Sequence, residues 1–434
     1  MKEKILMLFK LGVKYLHRYR RRYGFLLIAL VFCFAVVSFI TSTKDGMYEN
    51  VYFAAQSHYA GDIIVRGYGR NFLHNDEITS ILETAKLSGI NPAHIVFRTM
   101  SFESGVVFFN GNSVNLKYAI GCEWENEEHL FSKMEFSSPV NSILDDDSII
   151  LSSPVAEQLG VKTGDSIILE VDNIFRQKNT GRFIVKGIVN DVSIFGYYKA
   201  YVSRLTLNRL LLLNDDDCST IGFFFKNAQV TERNRRILHS ALIDKFTMGP
   251  LVNDRDGLER GITGRGSWDH MKLFLLTLPV YLSEVSDLLD AMNIVTYFLY
   301  GMMLIIIFAS ASVTYRLILH ERAKEMGVMR SIGFFGGDLR IVLWTEVIIL
   351  GIISLTAGFL LAFLLNFSAS FISFSWFPSF EIFLKGGKLT PLYSVSTVLV
   401  NILFTLLILA AAVIVPSLRA SKKNLPSLLS GEPL

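Results

Sequence analysis

The chain has 434 residues, of which 51% are hydrophobic and 19% are charged. This composition is too apolar for an ordinary soluble protein and too charged for a chain buried in a membrane throughout, so it predicts membrane-spanning helices joined to a soluble domain. The formal net charge of +3 gives no indication of a nucleic-acid partner. The three cysteines lack metal-site spacing and allow at most one disulfide in the soluble part, between Cys122 and Cys218.

The N-terminal segment, residues 1–22, is strongly basic and contains a single acid, Glu3. Its apolar residues recur at helical spacing, which predicts an amphipathic helix on the inner membrane surface. The uninterrupted apolar run that follows predicts a first transmembrane helix over residues 23–43. A cleaved signal peptide is the alternative. The run is longer than a signal core and no small-x-small cleavage site follows it, which favours an uncleaved helix.

Residues 44–291 contain no apolar run long enough to cross a membrane, so they predict one large domain of two subdomains. Residues 148–169 predict two strands around a short helix that ends at Gly160, and residues 281–292 predict a helix leading to the next membrane span. The elements predicted for a split α/β subdomain are a strand over 62–66, a helix over 75–88, a strand over 94–99, a strand over 220–225 and a helix over 231–246.

Three further apolar runs predict transmembrane helices over residues 292–315, 346–367 and 394–415. The loop over residues 316–345 between the first two of these runs is rich in lysine and arginine, which places it in the cytoplasm by the positive-inside bias. The tail over residues 416–434 is also basic and is predicted to lie in the cytoplasm. The loop over residues 368–393 is rich in aromatic residues around Pro378, which is typical of a membrane interface, here on the outer side.

The predicted fold is therefore an α-helical membrane protein with four transmembrane helices and a large α+β extracytoplasmic domain between helices 1 and 2. Both termini are expected in the cytoplasm, and the protein is expected in the cell inner (cytoplasmic) membrane.

The sequence contains no G-x-x-x-x-G-K-[ST] phosphate loop and no H-E-x-x-H or His/Cys cluster. We therefore predict no catalytic residue, no cofactor-binding residue and no metal ligand, and we expect the chain to lack an ATPase of its own. The four apolar runs, with the third counted from residue 347, contain no Asp, Glu, Lys or Arg. They offer no intramembrane proton relay, which weighs against an ion-coupled transporter.

Residues 321–333 read ERAKEMGVMRSIG. This stretch closely resembles the coupling-helix signature of FtsX-like ABC transporter permeases, and the resemblance continues to Glu346 and Gly351. It departs at Ala323, where the family usually has arginine. In that family the helix docks into the ATPase subunit, so the resemblance implies that the loop over residues 316–345 is a coupling loop. The residues that it implies for ATPase coupling are Glu321, Arg322, Glu325, Met326, Gly327, Arg330, Ser331 and Gly333.

Residues 148–169, SIILSSPVAEQLGVKTGDSIIL, together with FIVKGIV over residues 183–189, resemble the extracytoplasmic core of MacB-like and lipoprotein-releasing permeases. Within this group, the chain is closest in layout to the lipoprotein-releasing (Lol-type) permeases. The shared features are four spans, a domain after span one and a separate ATPase. The resemblance implies an ABC ATPase partner that binds ATP, a second permease copy or paralogue, and membrane lipids. It also implies a lipoprotein cargo and, as a further candidate, a periplasmic carrier.

Release of lipoproteins from the inner membrane is thus the leading hypothesis for function. One alternative is an FtsX-type transmembrane signal transmitter, whose outer domain activates a cell-wall hydrolase without transporting anything. Another is a MacB-like permease for export of peptides or drugs. The residues alone identify neither the cargo nor whether the permease forms a homodimer or a heterodimer.

Overall fold

The computed structural model describes residues 2–101, 105–137, 144–190, 198–226, 230–263, 271–374, 380 and 383–422. The chain divides into two compact units. The helical unit comprises Met1–Met47, Leu289–Ile372 and Leu389–Leu434, and the α/β unit comprises Tyr48–Leu288 and Ser373–Lys388.

The helices in chain order are α1 (Lys2–Arg18), α2 (Arg20–Tyr59), α3 (Asn75–Leu87), α4 (Glu128–Phe131), α5 (Ser153–Leu159), α6 (Arg204–Leu211), α7 (Thr231–Leu242), α8 (Arg255–Thr263), α9 (Leu278–Glu321), α10 (Ala323–Ser331), α11 (Gly336–Ala369) and α12 (Val395–Lys422). The strands are β1 (Ile63–Tyr68), β2 (His94–Met100), β3 (Val106–Phe109), β4 (Asn112–Asn115), β5 (Tyr118–Cys122), β6 (Ser148–Ser152), β7 (Ser166–Asp172), β8 (Lys178–Val189), β9 (Lys199–Ser203), β10 (Thr220–Phe224) and β11 (Lys272–Thr277).

Four of these helices, α2, α9, α11 and α12, contain segments that are long and apolar enough to cross a membrane. Their number agrees with the four predicted transmembrane helices. All four helices are longer than the spans predicted for them. Helix α11 begins at Gly336, inside the predicted loop over residues 316–345, and α12 continues through Pro416 to Lys422, inside the predicted tail. Helix α2 continues past residue 43 to Tyr59, and α9 begins at Leu278, so that it includes the helix predicted over residues 281–292. The candidate spans are Tyr23–Tyr59, Val285–Glu321, Gly336–Ala369 and Val395–Leu418.

The N-terminal helix α1 packs on α11. Gly12 lies so close to that helix that an added Cβ would be 3.0 Å from the Thr345 side chain and 3.1 Å from the Val342 carbonyl oxygen. The predicted helix over residues 1–22 is divided in the structure, because α1 ends at Arg18 and α2 begins at Arg20.

Within the helical unit, α2 and α11 pack closely through small residues. Ser354, Gly358 and Ala362, spaced four apart on α11, are all buried, as expected for a close helix contact. An added Cβ at Gly358 would lie 2.9 Å from the Val31 carbonyl oxygen and 3.0 Å from the Phe34 ring. The α2 backbone can therefore approach α11 closely only because this position has no side chain.

The α/β unit is built on one eleven-stranded sheet in the order β11-β1-β10-β2-β5-β9-β6-β8-β7-β3-β4. Strands β11, β1, β10 and β2 are antiparallel, and α3 and α7 contribute Ile81 and Leu238 to the core beside them. This is the split α/β subdomain that the sequence predicts. Strand β11 is not among the predicted strands, because its apolar run merges with the start of α9.

The rest of the sheet carries a second core that includes α5 and α6. Helix α5 lies between β6 and β7 and ends at Gly160, whose φ of +73° is the left-handed conformation that glycine adopts without strain. The predicted strand–helix–strand order over residues 148–169 is therefore confirmed. The possible disulfide is not formed, since Cys122 and Cys218 are both free and buried.

Part of the predicted interfacial aromatic loop belongs to the α/β unit. Phe383 is buried there, and its carbonyl oxygen accepts a hydrogen bond of 3.0 Å from Asn50 Nδ2. This aromatic residue is therefore packed against protein. Trp376, Phe377 and Pro378 of the same loop, and residues 423–434 of the predicted tail, lie outside the described residues.

The contact between α2 and α11 leads to a stability prediction. We expect Gly358→Leu to lower the thermal unfolding midpoint, because overpacking a tight contact costs typically about 1–3 kcal/mol. The matched control is Gly301→Leu on α9, where no described atom lies within 4 Å of an added Cβ. Thermal unfolding of the full chain in detergent measures both. Equal midpoints for the two variants would contradict the close contact.

Candidate functional site

The residues that resemble a coupling helix form a short helix between two long ones. Helix α10 follows α9 after one residue, Arg322, whose φ and ψ of −92° and 5° interrupt the helical path. The chain then turns at Gly333, where a φ of +103° favours glycine over any residue with a side chain. We call residues 321–335 the coupling segment.

The implied coupling residues divide between the inside and the outside of this segment. Arg322, Met326 and Gly327 are buried, so they support the segment and cannot themselves touch a partner. Glu325 and Arg330 are half-buried. The exposed members of the implied set are Glu321, Ser331 and Gly333.

Arg322 is held by a buried ionic contact with α11. Its Nη1 donates hydrogen bonds to both carboxylate oxygens of Glu346, over 2.9 and 2.8 Å. Tyr23 Oη on α2 donates a third hydrogen bond to Glu346, over 2.6 Å. Arg322 is 1% exposed and Glu346 is fully buried. These three residues, which we call the buried network, join the start of α10 to α2 and α11.

The side chains around the buried network keep Arg322 charged and enclosed. Burial alone would lower the pKa of Arg322, but the adjacent Glu346 carboxylate outweighs burial and the net pKa is raised. The guanidinium carbon lies 4.3 Å from the centre of the Tyr15 ring on α1, a cation–π distance. Helix α1 thus contributes an aromatic ring to the enclosure of Arg322.

Glu325 is the second ionic contact that holds α10. Tyr19 Oη donates a 2.5 Å hydrogen bond to Glu325 Oε1, and Arg18 Nη2 lies 3.7 Å from the same oxygen. One turn further along, Tyr15 Oη donates to the Met329 sulfur over 3.7 Å. Burial, and then the hydrogen bond to Glu325, raise the pKa of Tyr19, so its hydroxyl stays a donor at neutral pH.

The opposite side of the coupling segment is exposed and partly apolar. Val328 is 51% exposed, and Ile332 and Phe335 are each 74% exposed. Lys324 and Ser331 lie on the same side, at helical spacing from Val328 and Ile332. An exposed apolar patch with polar residues at its margin is typical of a protein-binding surface. We call these five residues the outer face.

Sequence reasoning identified the coupling segment but not the buried network. Its three members lie at positions 23, 322 and 346, and no local pattern connects them. One signal was available: Glu346 directly precedes a long apolar run, and a carboxylate in such a position needs a charged or hydrogen-bonding partner. Helix α11 includes both Glu346 and the uncharged run that begins at residue 347. The helix therefore carries an acidic residue directly before that run.

In the part of the chain that the structure describes, no group of three or more His, Cys, Asp and Glu side chains could hold a metal ion.

Comparison with known families and structures bears on the same region. Residues 297–425 match the FtsX-like permease C-terminal family. The predicted resemblance to FtsX-like ABC permeases is confirmed. The match covers the coupling segment, and it supports an ABC transporter permease subunit that lies in a membrane.

A solved structure, the periplasmic region of MacB from Actinobacillus actinomycetemcomitans, is similar with 11% identity and a TM-score of 0.30. The likeness covers 54% of this chain and 96% of that one. A TM-score this low does not establish a shared fold. No curated protein matches the chain.

The buried network predicts strong non-additivity between its two charges. Arg322→Met alone leaves the Glu346 carboxylate buried without its partner, which typically costs about 3–5 kcal/mol. Replacing both charges, as Arg322→Met with Glu346→Leu, removes the unpaired charge, so most of the stability should return. A double-mutant cycle by thermal unfolding of the full chain measures this difference. A double variant as unstable as the sum of the two single variants would contradict the assignment.

Proposed function

We propose that this chain is the permease subunit of an ABC transporter and uses ATP-driven motion to release lipoproteins from the inner membrane. The observation that carries the proposal is the division of the coupling segment. Its inner side is fixed to the membrane helices through Arg322 and Glu346, and its outer face is exposed. A surface fixed in this way can receive a push from a partner and move the helices with it.

The partner in this proposal is a separate ABC ATPase, which binds the outer face and binds ATP itself. The family match over residues 297–425 supports this kind of partner. Val328, Ile332 and Phe335 supply apolar contact area, and Lys324 lies beside them. The chain itself is then a non-catalytic subunit without a cofactor.

Two long helices are the candidates for passing on the motion. Helix α2 has 40 residues and α9 has 44, so at about 1.5 Å per residue they are about 60 and 66 Å long. Each contains residues of the helical unit and of the α/β unit. The end of α9 adjoins Arg322, so a displacement of α10 acts directly on α9.

The proposed orientation puts the coupling segment and both termini in the cytoplasm and the α/β unit outside the inner membrane. The lysines and arginines of residues 316–345 support this orientation through the positive-inside bias. With residues 316–345 in the cytoplasm, the loop over residues 368–393, which follows the next span, lies on the outer side.

Release of a lipoprotein from a membrane requires an energy source such as ATP hydrolysis. Burying an acyl chain of about fifteen methylenes contributes about 12 kcal/mol, at about 0.8 kcal/mol per methylene, so a multiply acylated protein does not leave the membrane unaided. A dimer of permeases, with a second copy or a related chain, would enclose the lateral path for the anchor. A periplasmic carrier would then accept the cargo.

One observation favours the second candidate function, a signal transmitter that activates a cell-wall hydrolase. A cavity of about 530 Å³ in the α/β unit is lined by His94, Glu125, Asn126 and His129. These side chains suit polar ligands or a protein surface better than an acyl chain. This candidate shares the ATPase and the helices with the first and differs in what the α/β unit binds.

Co-purification from membranes tests the proposal. Ile332→Glu on the outer face should reduce the co-purified ATPase at least about tenfold, since burying a carboxylate in an apolar contact costs more than about 1.4 kcal/mol. The control is Leu87→Glu on α3, where the leucine is 85% exposed and lies away from the coupling segment in sequence. Equal ATPase recovery with both variants would contradict docking at the outer face.

Mass spectrometry of the proteins recovered with the wild-type chain separates the two candidate functions. Acylated proteins alongside the ATPase would support lipoprotein release. A peptidoglycan hydrolase with the ATPase, and no acylated protein, would support the signal transmitter instead.

A further inference from the structure

Helix α2 ends directly against the sheet of the α/β unit. Its last residue is Tyr59, and Ala60 then takes a left-handed conformation with a φ of +63°. At Gly222 on β10, an added Cβ would lie 1.4 Å from the Ala60 carbonyl oxygen. The chain leaving the helix therefore touches the strand backbone, and only glycine leaves room for it.

A buried arginine binds the end of α2 to a neighbouring strand. Arg98 on β2 donates from Nη1 to the carbonyl oxygens of Ser57 and His58, over 2.6 and 3.0 Å. These carbonyls belong to the last turn of the helix, where the backbone lacks its own donors and the helix dipole favours a cation. Arg98 thus caps the helix and attaches it to the sheet with the same group.

The charge of Arg98 is balanced by an equally buried acid. Arg98 Nε donates to Glu127 Oε1 over 2.8 Å, and Nη2 donates to Glu127 Oε2. Arg98 is 1% exposed and Glu127 is fully buried. Burial alone would lower the pKa of Arg98, but Glu127 outweighs it and raises the net pKa. The ion pair uses Nε and Nη2, so it holds the guanidinium in the orientation in which Nη1 reaches the helix carbonyls.

Three further contacts lie at the same helix end. Gln56 Nε2 donates to Asp62 Oδ1 over 2.7 Å, and the Phe225 amide donates to Asp62 Oδ2 over 2.7 Å. The Tyr59 ring stacks on the Tyr281 ring of α9, with centroids 3.8 Å apart and planes at 14°. The end of α2 and the start of α9 are therefore in contact with each other at the sheet.

We propose that these contacts form a rigid joint, so that the last turns of α2 and the sheet move as one body while the protein works. The joint is the end of α2 with the residues that follow it, 56–62, held to the sheet by Arg98 with Glu127 and by the close approach at Gly222. The stack of Tyr59 on Tyr281 adds the start of α9. Helix ends are the usual places for hinges, where a few poorly packed residues absorb the change in φ and ψ. Here the helix end is buried and capped by a paired charge, so it lacks the loose packing that a hinge needs.

The consequence for mechanism rests on the proposed function. If α2 is driven by an ATPase, a rigid joint turns a tilt of the helix into an equal tilt of the sheet. Arg98 is then a positioning residue that keeps the direction of the sheet fixed relative to the helix.

A distance measurement within the α/β unit tests the joint in the full chain. The spin labels are placed at Tyr52→Cys on α2 and Leu87→Cys on α3. Both positions are exposed, since the native Tyr52 is 42% exposed and the native Leu87 is 85% exposed. The three native cysteines are buried and are not expected to react. The wild-type background should give one narrow distance distribution, in the same position for the permease alone and with ATPase and trapped nucleotide.

Arg98→Gln removes the paired charge, and it should abolish the single narrow peak. Arg209→Gln is the matched control, because Arg209 is exposed and pairs with Asp215 at the surface, and it should leave the peak unchanged. A broad wild-type distribution, or one that shifts on nucleotide trapping, would overturn the proposal whatever Arg98→Gln does. If no ATPase binds, the proposed function fails, while the distribution of the permease alone still decides whether the joint is rigid.

Discussion

The contact between Arg322 and Glu346 is the constraint on which the coupling segment depends. A buried ion pair adds little net stability, because desolvation of both charges offsets their attraction, but the loss of one partner is strongly destabilising. Its contribution here is therefore geometric. The pair fixes the start of α10 against α11, and the Tyr23 hydroxyl brings α2 into the same contact. Helix α2 and the start of α10, which lie far apart in sequence, thus meet at one carboxylate of α11.

This arrangement explains why the coupling segment combines polar and apolar residues in an unusual way. Arg322, although charged, points inward, and Glu325 is held by Tyr19, while Ile332 and Phe335 point outward. In an ordinary soluble helix the charges would face solvent and the apolar residues would face the core. The inversion is partial, because Met326 and Met329 of the same segment are buried in the apolar core of the helical unit.

Much of the fold follows from local patterns in the sequence. The four long apolar runs identify the candidate spans, and alternating and helical periodicities identify the split subdomain around β1, β2 and β10. Strand β11 escaped prediction because its apolar residues continue directly into α9. Pro279, the second residue of α9, was the available signal for the boundary. The length of the α2 extension could not be predicted, because charged residues interrupt the apolar run after residue 43, although Met47, Val51 and Ala55 are buried at a spacing of four.

The position of the site in the chain was predictable, but the direction in which its side chains face was not. The glycine at position 333 and the charges of residues 321–330 form a local motif, so their position in the chain could be predicted. Which of them face inward depends on tertiary contacts with Tyr15, Tyr23 and Glu346, which no local pattern contains. A charged motif in a loop suggests an exposed surface, and burial of Arg322 contradicts that expectation.

The most direct test of the account is whether a nucleotide bound to the proposed ATPase moves the α/β unit. A spin label at Leu87→Cys in both copies of the proposed permease dimer would report the distance between the two α/β units in the reconstituted complex, with and without trapped nucleotide. The account predicts a change in the wild-type background and a smaller change or none in a folded Arg322→Met, Glu346→Leu variant. An unchanged wild-type distance in a complex that binds and hydrolyses ATP would contradict it.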